Sequence, residues 1–272
     1  MDNVFSLERF ALLMRRHFSL YFRTYVMGAL VLAGGTVLLF SLLAWLASGR
    51  SGGVSAGNQI TVYLLVMYGG LILFTGAVLQ PYQRPREATF NLLLPASKFE
   101  KYALTWLLSL VFYSICANGI YFIVRFLMVQ YWEGQGLAAE SLWSYDRLLV
   151  KSATDFTPLH MFIVVYLLVH ACGLLGSIVF RKHAVLKTAL ALFVLVMLYR
   201  YINALLFKAW HMPNVEVTQP PLLPFLPAYI QHQGISQGVG LDSGPYWAFG
   251  FCSVFIVSLW FVAYLKLRER EV

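Results

Sequence analysis

Apolar positions along the chain fall into six stretches, each long enough to cross a bilayer core about 30 Å thick as a helix. They cover residues 25–47, 60–79, 102–129, 158–180, 186–207 and 245–265. Ahead of the first, the apolar positions are periodic rather than continuous. Leu7, Phe10, Ala11, Met14, Phe18 and Tyr21 share one helical face, while Glu8, Arg9, Arg15, Arg16, Ser19 and Arg23 share the other, with Leu12 among the polar set. This pattern predicts an amphipathic helix over 1–24 lying in the membrane interface with its arginines near anionic headgroups.

The connections differ in character. Residues 48–59 are rich in glycine and serine and read as a flexible loop. Residues 130–157 carry Glu133, Glu140, Asp146 and Asp155 beside Trp132 and Trp143, which reads as anchoring and solvation at an interface. The stretch 208–244 holds Pro213, Pro220, Pro221, Pro224 and Pro227 among Leu222, Leu223, Phe225, Leu226, Tyr229 and Ile230. It is too short and broken to span, and predicts half-buried outer helices between spans five and six.

The connection 80–101 has the most local detail. Pro85 suits a first helical turn, and Phe90, Leu93 and Leu94 then fall at i, i+3 and i+4. Pro95 closes that short helix. Ser97 and Glu100 then form an S-x-x-E capping box directly before the next apolar run, so the third long helix is expected to begin at about Lys98, in water. A helix-break-helix element with an apolar face outside the membrane needs a cover, either the bilayer surface or a soluble protein groove that accepts a short transverse helix.

Composition agrees with a single all-α transmembrane domain over 1–272: the chain is 60% hydrophobic and 12% charged, with mean hydropathy +0.69, against about a quarter charged in soluble domains. Cys116, Cys172 and Cys252 all lie within spans, so no disulfide framework is expected. No signal peptide is expected in the first 24 residues, which are arginine-rich and lack a small-residue cleavage site. Of the 20 lysines and arginines, fourteen fall in the N-terminus, the second and fourth connections and the C-terminus. Both termini are therefore expected in the cytoplasm, and the net charge of +8 is a topology signal rather than a nucleic-acid footprint.

The string NLLLPASKFEKY, 91–102, resembles the leucine-proline-small-serine segment and charged helix start in the first cytoplasmic loop of bacterial ABC-2 type exporter permeases. The six spans, the amphipathic N-terminal helix and the half-buried outer segment are similar to that family as well. The resemblance implies an inner-membrane, non-catalytic subunit that pairs with a second permease, its own copy or a homologue, and with separate ABC ATPase subunits. It implies a coupling helix that docks on the ATPase through Arg86, Glu87, Phe90, Asn91 and Leu94, with a second contact at Arg181, Lys182 and His183. ATP and magnesium would then belong to the ATPase, with no cofactor on this chain. The absence of G-x-x-x-x-G-K-[ST] from the sequence fits that division.

Other classes fare less well. A gradient-driven carrier normally places acidic groups within its spans, and here all 12 Asp and Glu fall in loops or termini. A membrane scaffold that binds a cytoplasmic factor through 84–101 would share the topology. An intramembrane hydrolase would need His170 and Ser177 to meet, yet seven residues on one helix separate them by about 10 Å. His160, His170, Cys116 and Cys172 show no metal-ligand spacing. Asn118, Arg125, His170, Arg200 and Asn203 are the polar residues within or beside spans that could line a path, the two arginines either meeting an anionic headgroup or snorkelling to the outer surface.

Overall fold

A computed structural model describes residues 5–47, 56–83, 96–134, 158–180, 183–210, 216–219, 228–232, 235–239 and 244–270. Among these, six helices are long and apolar enough to cross a membrane. They are α1 (Leu7–Ala47), α2 (residues 56–83), α3 (Lys98–Gly134), α4 (Pro158–Val179), α5 (Ala184–Trp210) and α6 (Gly244–Arg270).

The separate interfacial helix expected over 1–24 is not a distinct element. No proline or glycine interrupts the sequence before Gly28, and α1 runs unbroken for 41 residues, about 60 Å at 1.5 Å per residue. Part of its N-terminal stretch packs on the other helices. Leu13 is buried against Val78 of α2 and Leu104 and Leu108 of α3, with Phe10, Met14 and Phe18 packed around them. Farther along, Thr36 and Phe40 are buried as well. The outward face of the first turns keeps Leu7 and Leu12 exposed beside Glu8 and Arg15.

Two of the long helices are interrupted in mid-span. In α2 a π turn, Leu65–Gly69, joins Ala56–Leu64 to Gly70–Gln83. In α3 a π turn, Leu108–Phe112, joins Lys98–Leu107 to Tyr113–Gly134.

α4 is the hub. It packs against α2 and α6 along much of its length through Leu174 and Ile178, which meet Leu79, Ala263 and Leu267, and through Val164 and Ala171, which meet Cys252 and Ile256. The largest core cluster joins α1, α2, α3 and α4 around Phe40, Tyr63, Leu71, Tyr113, Tyr121 and Tyr166. α5 approaches through small residues. A Cβ on Gly176 of α4 would lie 2.1 Å from Thr188 Oγ1, and one on Gly76 of α2 would lie 2.2 Å from Val185 Cγ2. Only glycine permits that approach.

The segment between α5 and α6 corrects the expectation of half-buried outer helices. Its described residues form a three-stranded antiparallel sheet, β1 (Glu216–Gln219), β2 (Ala228–His232) and β3 (Ile235–Val239), in the order β1-β2-β3. Ala228 pairs with Val239 and His232 with Ile235, while a bulge interrupts the β1–β2 register between Val217 and Gln219. Pro220 in the sequence disfavours helical torsions at Gln219, the last residue of β1, while Pro221, Pro224 and Pro227 lie outside the described residues. Extended backbone with inter-strand pairing is the alternative left to the chain.

Gly176→Ala tests the α4–α5 crossing. The added methyl meets Thr188 backed by packed helix, so a loss of about 1–3 kcal/mol is expected, read as a lower unfolding midpoint in detergent. Gly119→Ala, where nothing lies within 4 Å of the new Cβ, should leave the midpoint unchanged or raise it slightly.

Candidate functional site

Arg86, Glu87, Phe90, Asn91 and Leu94 lie outside the described residues, as do Arg181 and Lys182. What the structure describes is how the helices on either side of them are anchored.

At the basic end of the bundle, α3 opens with the capping box expected from its sequence. Ser97 Oγ accepts from the Glu100 N–H at 3.1 Å, and Glu100 Oε2 accepts from the Ser97 N–H at 2.8 Å. The other carboxylate oxygen reaches a different helix. Glu100 Oε1 accepts from the Ser6 N–H at 2.7 Å and from Arg9 Nη2 at 3.1 Å. One fully buried carboxylate thus satisfies the orphan N–H groups that open α1 and α3 together. Aromatic rings surround it. Phe5 meets Phe10 and Phe99, Phe99 and Tyr102 meet Tyr264 of α6, and the Tyr102 hydroxyl donates to the Trp260 carbonyl at 2.9 Å. Burial by itself would raise the Glu100 pKa, but the Ser97 and Ser6 N–H groups and the Arg9 guanidinium outweigh it and hold the carboxyl below its ordinary value.

Sequence reading found half of this arrangement. The Ser97–Glu100 box is local and legible, whereas Arg9 and Ser6 are more than ninety residues from Glu100, and nothing in the spacing announces them.

Midway along the bundle, His170 of α4 is fully buried and bonded on both ring nitrogens. Trp260 Nε1–H of α6 donates to Nδ1 at 3.2 Å, and Nε2 lies 2.8 Å from Ser109 Oγ of α3. An indole can only donate, so Nδ1 carries no proton, and Nε2–H donates to Ser109. The serine hydroxyl passes its own proton to the Thr105 carbonyl at 2.8 Å. Every step of the chain is satisfied, with the imidazole neutral. The geometry locks three helices together. Ser177, seven residues along α4 from His170, takes no part in it.

Toward the opposite end, Asn118 joins a second network. Tyr63 of α2 donates to Asn118 Oδ1 at 3.0 Å, and Asn118 Nδ2 donates to the Ser114 carbonyl at 2.8 Å. Ser114 Oγ lies 2.7 Å from the Tyr166 hydroxyl of α4. Between the two networks, the Tyr113 hydroxyl of α3 donates to the Val66 carbonyl of α2 at 2.5 Å.

The two arginines have different surroundings. Arg125 Nε donates to Gln59 Oε1 at 2.8 Å, and the Tyr121 hydroxyl donates to the Gln59 carbonyl at 3.0 Å. Arg125 is thereby fixed to the first turn of α2. Arg200 is exposed on α5, and the Asn203 side chain lies outside the described part. The structure thus places His170 among α3, α4 and α6, Asn118 among α2, α3 and α4, and Arg125 toward the far end against α2, while Arg200 is exposed on α5. Gln59, Ser109, Tyr113 and Trp260 complete these networks and were not singled out by sequence, because hydroxyls and indoles in apolar runs carry no spacing signature. Among the described residues, no three His, Cys, Asp or Glu come together as a metal site.

Neither protein-family models, nor curated proteins, nor solved structures give a match to this chain.

Glu100→Gln keeps the size of the side chain but replaces one accepting oxygen with a donor, which cannot serve Ser6 and Arg9. A loss of about 1–3 kcal/mol is expected from the stranded donors. The same group predicts a pH signature. A carboxyl whose folded pKa lies below its unfolded value of about 4.3 contributes stability above that value and loses it as pH falls through the folded pKa. The wild-type unfolding midpoint should therefore decline below about pH 4, more steeply than that of Glu100→Gln.

Proposed function

We propose that this chain is the permease subunit of an ABC exporter, forming the translocation path in a bacterial inner membrane and drawing its energy from a separate ATPase. The observation that carries the reading is the Glu100 clasp. The connection expected to dock on the ATPase leads within two residues of Pro95 into the Ser97–Glu100 capping box, and that box is bonded directly to the start of α1. A push on residues 84–95 would thus be delivered to two spans at once, as a coupling element requires. Six membrane-length helices support the same reading, as do the basic residues clustered at alternate connections.

In this reading both termini face the cytoplasm. ATP binding closes the ATPase subunits, the coupling segments follow, and paired permeases open outward. The chain contributes no covalent step, and ATP and magnesium are held by the partner. A second permease, either its own copy or a homologue, covers spans that the chain itself leaves bare. Only 6% of the most apolar stretch of α5 and 11% of that of α1 are buried by the chain's own residues. Asn118, Arg125 and His170 line or shape the path, and Arg200 and Asn203 sit at its outer margin.

The test is affinity purification of the tagged protein from its native membrane, comparing the wild type with a Phe90→Asp, Leu94→Asp double variant. A nucleotide-hydrolysing subunit should co-purify with the wild type and be lost from the variant, with both eluting as the same folded species. If none accompanies either protein, the ATP-driven reading falls and a scaffold or gradient-driven carrier takes its place.

A further inference from the structure

The two π turns stand at one level of the membrane, on the two helices that flank the 84–95 connection. Leu65–Gly69 lies fourteen helical residues above the end of α2 at Gln83, and Leu108–Phe112 lies ten above the start of α3 at Lys98. The Tyr113 hydroxyl bridges them at 2.5 Å by donating to the Val66 carbonyl, which also accepts the Gly70 N–H. Gly70 leaves the space for that hydroxyl, since a Cβ there would lie 2.0 Å from it. Within the α3 turn, Ser109 ties the same level to His170, and through it to Trp260.

A π turn holds one residue more than the α-helical pitch needs, so the helix on one side can gain or lose that residue without breaking elsewhere. Such a slip moves the segment about 1.5 Å along its axis and rotates it by about 100°. Two such turns on neighbouring helices, level with each other and pinned together, make a hinge across the pair.

We infer that residues 70–83 and 98–107 form a lever, hinged at the paired π turns, with Tyr113 and Gly70 as its axle. The basic-end halves of α2 and α3, packed together through Val78 and Leu104, move as one piece, while the opposite halves, held by Tyr63, Asn118 and Tyr166, stay in place. The coupling role of this movement rests on the reading under Proposed function. The hinge itself does not.

The experiment uses pairs of spin labels on exposed positions of the purified full chain in lipid nanodiscs. One pair crosses the hinge, Leu73 with Ile123, and a reference pair lies wholly on the far side, Thr61 with Ile123. Tyr113→Phe removes the pin and keeps the ring. It should broaden the cross-hinge distance distribution at least about twofold and leave the reference pair as sharp as in the wild type. Gly70→Ala should disturb the cross-hinge pair in the same way by displacing the hydroxyl, and the double variant should come close to Tyr113→Phe alone because the hydroxyl clash is gone and only the ring Cζ, 3.1 Å from the new Cβ, stays tight. Equal broadening of both pairs, or of neither, overturns the hinge.

If an ATPase co-purifies, adding nucleotide to the wild-type complex should shift the cross-hinge distance by several ångströms, roughly the displacement of a label under a one-residue slip. A hinge that responds to Tyr113→Phe in a protein with no ATPase partner would keep this inference and discard the exporter reading. An ATPase whose nucleotide leaves the cross-hinge distance unchanged would keep the exporter and discard the lever.

Discussion

Hydrocarbon offers no partner to a polar group, so each one within the spans must be satisfied by the protein itself. This constraint shapes the interior more than any single contact. Thr36, Thr75, Thr105 and Thr188 turn their hydroxyls back to the carbonyl four residues earlier on their own helices. Tyrosines donate across helices to main-chain carbonyls, from Tyr113 to Val66 and from Tyr121 to Gln59. Where a side chain has two polar atoms to place, as His170 does, it takes partners from two neighbouring helices and draws them together.

The same rule explains why the ends of the bundle differ from its middle. At the basic end a full negative charge is kept buried because three donors surround it: the Ser6 and Ser97 main-chain N–H groups and the Arg9 guanidinium. In mid-span the groups are neutral, and the cost of burial is met by hydrogen bonds alone. At the far end an arginine is steadied by an amide.

How much of this was legible in the sequence depends on the range of each interaction. Hydropathy and helical period are summed over many residues, and they located the spans. The Ser97–Glu100 box occupies four consecutive residues and appeared as expected. Glu100's second set of bonds and the His170 chain join distant residues, so no local pattern could contain them. The π turns left no trace because an extra residue in an apolar run changes neither its composition nor its length enough to notice. Residues 208–244 misled for a different reason. Their leucines and prolines suggested short helices against lipid, while the Gln-Gly pair directly after His232, set between two short segments, was the better guide to paired strands.

α4 and α5 are joined by four residues, 180–183, with His183 at φ 54° just before α5 begins. A link that short makes the two helices antiparallel neighbours from the moment both exist, and the glycine contacts with Thr188 and Val185 need no other span but α2 to be completed. In membrane insertion the pair therefore behaves as one hairpin. α5, which has little of the rest of the chain to lean on, is carried into the bilayer by its neighbour, and the order in which the chain leaves the ribosome becomes part of how the bundle is assembled.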